Sequence, residues 1–152
     1  MTRSTLEGRA LVVHLVDTGC GLSCLQVAAQ LQEVQGDLDG NTNVLLVALT
    51  LDPRSDTPPV LARFASRFGA RTNRWQFLTG SRSSLAPLVE GLFGKPMPTG
   101  VAPGNPGDTL DIGEVLVVDR QGQVRGRANG FKTNLASVVL DLIRGVDTPA
   151  IP

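Results

Sequence analysis

Apolar residues in this chain cluster into short runs separated by stretches of helical periodicity. Residues 10–16 (ALVVHLV) and 43–50 (NVLLVALT) are continuous and β-rich, the pattern of strands buried on both faces of a parallel sheet. Between them, residues 23–35 place Leu25, Ala28, Ala29, Leu31 and Gln32 at helical spacing, with Ser23 as the expected cap. After the Pro-rich connection LDPRSDTPP, a helix over 59–68 gathers Val60, Leu61, Phe64 and Phe68 on one side and stops at Gly69. Thr57 is its expected cap, and the prolines suit its first turn. Residues 74–80 (RWQFLTG) read as a short third strand, and residues 81–94 as a helix starting at Ser81 or Ser84 with Pro87 near its first turn. Residues 95–109 hold too many prolines and glycines for a regular element and read as a surface loop. EVLVVD and QVRGRA, joined by RQG, predict a β-hairpin. Residues 131–145 close the chain as an amphipathic helix capped by Thr133 or Asn134, and the tail 146–152 reads as disordered.

The predicted order is β-α-β-α-β-α-β-β-α. Right-handed crossovers make the early strands a parallel core, and the hairpin adds an antiparallel edge. Helices then cover both faces. This is an α/β fold, a thioredoxin-like three-layer sandwich around a central mixed β-sheet. At 152 residues, one domain over 1–152 is expected.

Charge narrows the partners. Fourteen basic and fourteen acidic side chains cancel, so no basic field exists for nucleic acid or an anionic membrane surface. Five Phe and one Trp are too scattered for a base-stacking platform. No apolar run approaches the roughly 20 residues of a membrane span, and MTRSTLEGR lacks the apolar stretch of a secretory leader. No membrane contact is expected from this segment, and the protein is expected to be a monomer.

The two cysteines, Cys20 and Cys24, lie in DTGCGLSCLQ at the junction of the first strand and first helix. A disulfide across so short a loop removes little chain entropy, so a structural staple is a poor explanation. A thiol at a helix N-terminus is favoured as thiolate, the form that attacks disulfides and binds metals. The two sulfurs converge if the GLS segment is turn-like, which permits a disulfide or coordination of a soft ion such as Cu(I). The bland alternative, two inert buried thiols, stays open from the residues alone.

Four stretches together resemble the Sco/SenC family over Gly8 to Gly145: EGRALVVHLVDTGCGLSC, VALTLDPRSDTPPVLARFASRFGA, WQFLTGS and EVLVVDRQGQVRGR. The second matches the family's Asp-Pro-x-x-Asp-Thr segment most closely. The resemblance implies copper binding through Cys20 and Cys24 and a role in assembling the copper centre of cytochrome oxidase. That role is either copper delivery or reduction of target cysteines. It also implies protein thiols or the copper-site subunit of an oxidase as partners, and a periplasmic or extracytoplasmic location. The redox role requires no cofactor, and copper is the ion the copper-handling role would carry.

Departures from the family pattern define the remaining candidates. Aligning the hairpin on Asp119 and Gly122 places the family's third ligand, a histidine, at about Asp111. A carboxylate is a hard ligand and a poor match for Cu(I), whereas Met97 is softer and lies at the loop. Gly21 stands where the family usually has proline. The only histidine, His14, is six residues before Cys20 inside the first strand. At about 3.3 Å per residue, that separation exceeds ~10 Å, and His14 reads as a strand residue. Asp17, three residues before Cys20, is either a proton acceptor during disulfide chemistry or a solvated turn residue. Asp52 and Asp56 read as turn or cap residues beside prolines.

Three functions therefore compete. The first is a thiol–disulfide oxidoreductase in which Cys20 attacks and Cys24 resolves. The second is a non-enzymatic copper-binding module whose two thiolates are joined by Met97, Asp111 or a partner's ligand. The third, peroxide reduction, wants an arginine and threonine arrangement that cannot be placed here.

Overall fold

The computed structural model describes residues 8–19, 21–97 and 111–147. Strand β1 (Ala10–Val16) is buried at every position except the half-buried Leu11, and it lies at the centre of the sheet. It runs parallel to β2 (Val44–Thr50), with Ala10 opposite Val44 and Val16 opposite Thr50. Strand β3 (Trp75–Leu78) extends the parallel set at one edge. On the other side β4 (Glu114–Val118) and β5 (Val124–Asn129) pair antiparallel, giving the order β3-β2-β1-β4-β5.

Two consecutive right-handed crossovers in the same direction put their helices on one face. These are α1 (Leu22–Asp37) and α2 (Pro58–Arg67), and α4 (Leu135–Asp147) joins them there. Together they bury Val27, Leu31, Leu61, Phe64 and Val139 against Val12, Val16, Leu46 and Val117. The chain then crosses beneath the sheet to reach β4. Helix α3 (Arg82–Phe93) covers the second face, packing Leu85, Val89 and Phe93 on Val13, Leu15, Val47 and Leu116. The expected three-layer thioredoxin-like architecture is present.

Local details differ from the sequence expectations. Helix α1 starts from Gly21, at φ 86°, with no side-chain cap, so Ser23 lies inside the helix rather than capping it. Its buried stripe is Cys24, Val27, Ala28, Leu31, Val34 and Gln35, while Ala29 and Gln32 face solvent. Thr57 occupies the N-cap of α2 but makes no side-chain cap bond; the two prolines shape that turn instead. Ser81 does cap α3, its Oγ accepting from the Ser84 N–H at 3.2 Å. Helix α4 continues through Val146 and Asp147, two residues expected in the tail. The rest of that tail, most of the Pro/Gly-rich loop and Cys20 lie outside the described residues. No helix among the described residues is long and apolar enough to cross a membrane.

The hairpin turns on Asp119. Its Oδ1 accepts from the Gln121 and Gln123 N–H groups, each at 2.9 Å, and its carbonyl accepts from Gly122, which holds φ 84°. The Gln123 bond, then Gln121 and Arg125, hold the carboxyl below its usual range, against the opposing effect of burial. A depressed carboxylate pKa stabilises the fold above the ordinary value and loses that contribution as acid protonates it. Replacing Asp119 by Ala leaves two turn amides without an acceptor and is expected to cost about 1–2 kcal/mol. Urea denaturation at neutral pH measures this; a variant as stable as the parent would show that the side chain does not anchor the turn.

Candidate functional site

The carboxyl ends of β1 and β2 open onto the connection that carries the cysteines. Val16 accepts a backbone bond from Leu51 at 3.0 Å, which holds the two strand ends together. Asp17 follows, half-buried, and its Oδ1 accepts from the Gly19 N–H at 3.0 Å. This local turn reverses the chain toward α1. The positive φ of Gly21 completes the reversal in a region that proline cannot enter. That explains glycine at this position in physical terms.

Cys24 lies in the first turn of α1 and is 5% exposed. That turn contains no acidic residue, so no charge from the helix's own first turn opposes its positive end beside the Cys24 sulfur. Leu22, two residues earlier, is 78% exposed. The helix start thus has a wet outer edge and a dry inner one, with Cys24 on the inner side. Cys20 falls just before this helix in sequence, outside the described residues.

Cys24 faces a crevice of about 10 Å³, lined also by His14, Val16, Val27, Phe64 and Ile112. That is scarcely room for one water molecule. Separation along β1 does not keep His14 away from Cys24 in space. In the structure α1 folds back over β1, and Cys24 and His14 line the same crevice. His14 is a buried strand residue, 2% exposed. The Trp75 indole N–H donates to its Nε2 at 3.0 Å. Its Nδ1 carries the proton and lies 3.3 Å from the Leu15 carbonyl. Burial pushes the imidazole down to about 4, only partly opposed by the Leu15 contact, so at neutral pH it is uncharged. With Nε2 occupied by Trp75, the ring has no lone pair left for a metal or a thiol proton.

Asp111 and Met97 are placed very differently. Asp111 is exposed, its Oδ1 accepts from the Gly113 N–H at 2.9 Å, and its neighbour Ile112 lines the crevice. Met97 is 3% exposed and packs with Phe93 and Val89, in the core beneath α3 on the face away from α1. The Arg82 guanidinium donates to its carbonyl at 2.8 Å. The structure brings the Asp111 segment to the mouth of the crevice and does not bring Met97 there.

Asp56 lies in the turn expected of it, its N–H donating to the Asp52 carbonyl at 2.8 Å just before the Thr57 cap. It is also 0% exposed, with its carboxylate turned inward to Thr50 and Thr18. Local sequence suggested only a turn. The available signal is non-local: Thr50 ends one apolar strand and Thr18 closely follows another, and the two strands pair side by side.

A mixed sheet with a cysteine in the first turn of the helix after its central strand defines a thioredoxin-like domain with a sulfur at that strand-to-helix junction. The family is more specific: the SCO1/SenC model matches residues 1–144, and the chain belongs to that family. The SCO1 protein homolog of Bacillus subtilis is 28% identical over 81 residues, 53% of this chain and 42% of that relative's length. Among solved structures, BsSco superposes with a TM-score of 0.75 at 22% identity, covering 97% of this chain and 86% of that one. BsSco is described as having a disulfide switch and as a member of the Sco family of cytochrome c oxidase assembly proteins. Yeast Sco1 with copper bound superposes at 0.70 with 20% identity, covering 99% of this chain and 83% of that one.

Proposed function

We propose that this chain is a thiol–disulfide oxidoreductase serving assembly of a respiratory cytochrome oxidase, acting on protein thiols outside the cytoplasm through Cys20 and Cys24. The observation that carries this reading is the buried Cys24 sulfur at the start of α1, in a family-matched chain whose other cysteine precedes that helix in sequence. The Cys20 thiolate attacks one sulfur of a target disulfide, forming a mixed disulfide and releasing the target's other sulfur as a thiolate that takes a proton. Cys24, deprotonated, then attacks the Cys20 sulfur and expels the second target thiolate. Two electrons pass to the target, and the pair leaves as a Cys20–Cys24 disulfide. Asp17, at the entrance of the turn, is the proposed acceptor for the departing proton.

Copper handling by the same two sulfurs is the second reading, favoured by the soft donor set and by the resemblance to a copper-bound relative. Asp111 is the better-placed partner ligand of the two candidates, being next to Ile112 at the crevice, but it is a hard one. Two measurements separate the readings: turnover of a model disulfide by the reduced protein, and Cu(I) titration against a competing chelator. Turnover with no competitive Cu(I) binding is the expected result. Stoichiometric tight binding that vanishes in Cys24→Ser, without turnover, would replace the oxidoreductase with a copper-binding module.

A further inference from the structure

We propose that Asp56 is a positioning residue for the cysteine pair, clamping the connection before Cys20 onto the end of β2; this rests on the redox reading above. The carboxylate has no exposed surface. Its Oδ2 accepts from the Thr50 hydroxyl at 2.7 Å and from the Thr18 N–H at 3.4 Å, and its Oδ1 accepts from the Thr18 hydroxyl. Thr50 is the last residue of β2 and is itself fully buried, and its Oγ also accepts from the Asp52 N–H at 3.0 Å. Thr18 sits two residues before Cys20. One side chain from the β2–α2 connection therefore holds the β1–α1 connection by both backbone and side chain.

Stability is a poor reason for this arrangement. Sealing a carboxylate from water is expensive, and apolar packing of the same volume is commonly as stable or more so. What the carboxylate adds is geometry, because three donors converge on two oxygens and fix where Thr18 sits. Both of its oxygens are committed to threonines, which argues against a role as metal ligand. The clamp removes freedom from a segment that must otherwise be ordered each time the two sulfurs bond. Releasing it makes the disulfide harder to form, so the dithiol gains relative to the disulfide.

The test uses Thr18→Val, Asp56→Ala and Asp56→Asn in the whole chain, read by equilibration with glutathione redox buffers and by amide hydrogen exchange over residues 17–24. Thr18→Val removes the hydroxyl at nearly constant volume, so it serves even if Asp56→Ala does not fold. Both variants are expected to exchange faster over that segment. Both should lose about tenfold in the disulfide-forming equilibrium constant, equivalent to about 30 mV in the less reducing direction. Asp56→Asn should stay near the parent, since its amide oxygen can accept from Thr50 while its NH₂ donates to the Thr18 hydroxyl. A folded Thr18→Val protein with an unchanged equilibrium constant overturns the positioning role, even if exchange quickens. Asp56→Asn falling as far as Asp56→Ala would assign the effect to charge and also overturn it. A parent protein whose cysteines never cycle sinks the redox reading itself, and the positioning role falls with it.

Discussion

Lowering the pH from 7 to 4 is expected to remove about 3 kcal/mol of folding stability through His14 alone. In the folded chain the imidazole is held down to about 4, chiefly by burial. In the unfolded chain it returns to the ordinary value of about 6.5. The unfolded state therefore takes up a proton that the folded state refuses. His14's neutral form supports the fold fully above about pH 6.5, the support drains away as pH falls toward 4, and below that the loss levels off. No rearrangement short of opening the core relieves it, because Trp75 and Phe77 stack edge-on against the ring at centroid distances of 5.7 and 6.3 Å. Urea denaturation at a series of pH values, comparing the parent with His14→Gln, isolates the contribution. Glutamine still offers an acceptor to the Trp75 N–H but does not titrate. The two stability curves should converge as pH falls. Parallel curves would show that His14 is not the group that titrates.

Most of the fold was legible because it follows from burial on two scales. ALVVHLV and NVLLVALT can only be strands covered on both sides, and the order of elements then leaves few topologies. The misreadings were local or depended on tertiary placement. Ser23 looked like a cap, but the positive φ of Gly21 starts the helix two residues earlier. Ala29 and Gln32 fit a helical stripe as well as Val27 and Val34 do, and only the angle of α1 on the sheet decides between them. At the site, the position of Cys24 in the first helical turn was readable from the strand-to-helix junction. The crevice shared with His14 and the inward carboxylate of Asp56 were not, because each depends on a crossover that returns the chain over itself. Residue spacing measures distance along the chain, whereas these contacts are made across it.

The sharpest consequence of the site is an asymmetry between its two thiols. Cys24 is 5% exposed in a crevice with barely the volume of one water, and once reduced it is expected to stay shielded until the first turn of α1 opens. Cys20 precedes that turn in sequence and is proposed to be the attacking sulfur. In Cys24→Ser, Cys20 should be alkylated by iodoacetamide at least about a hundredfold faster than Cys24 is in Cys20→Ser, since thiol reactivity requires both thiolate and access. The catalytic consequences follow the same order. Cys24→Ser should stop at a stable mixed disulfide with a model substrate, releasing one thiol per chain and no more, because no second sulfur resolves it. Cys20→Ser should not begin. Mass spectrometry of the trapped adduct and a count of released thiol read both outcomes. The substitution at Cys24 puts a hydroxyl among Val27, Phe64 and the already occupied ring of His14, so some loss of stability accompanies it; Cys24→Ala removes that cost while blocking resolution equally. Equal alkylation rates, or an adduct trapped on Cys24, would mean that the buried sulfur is the one reached by substrate, and the proposed order of attack would be reversed.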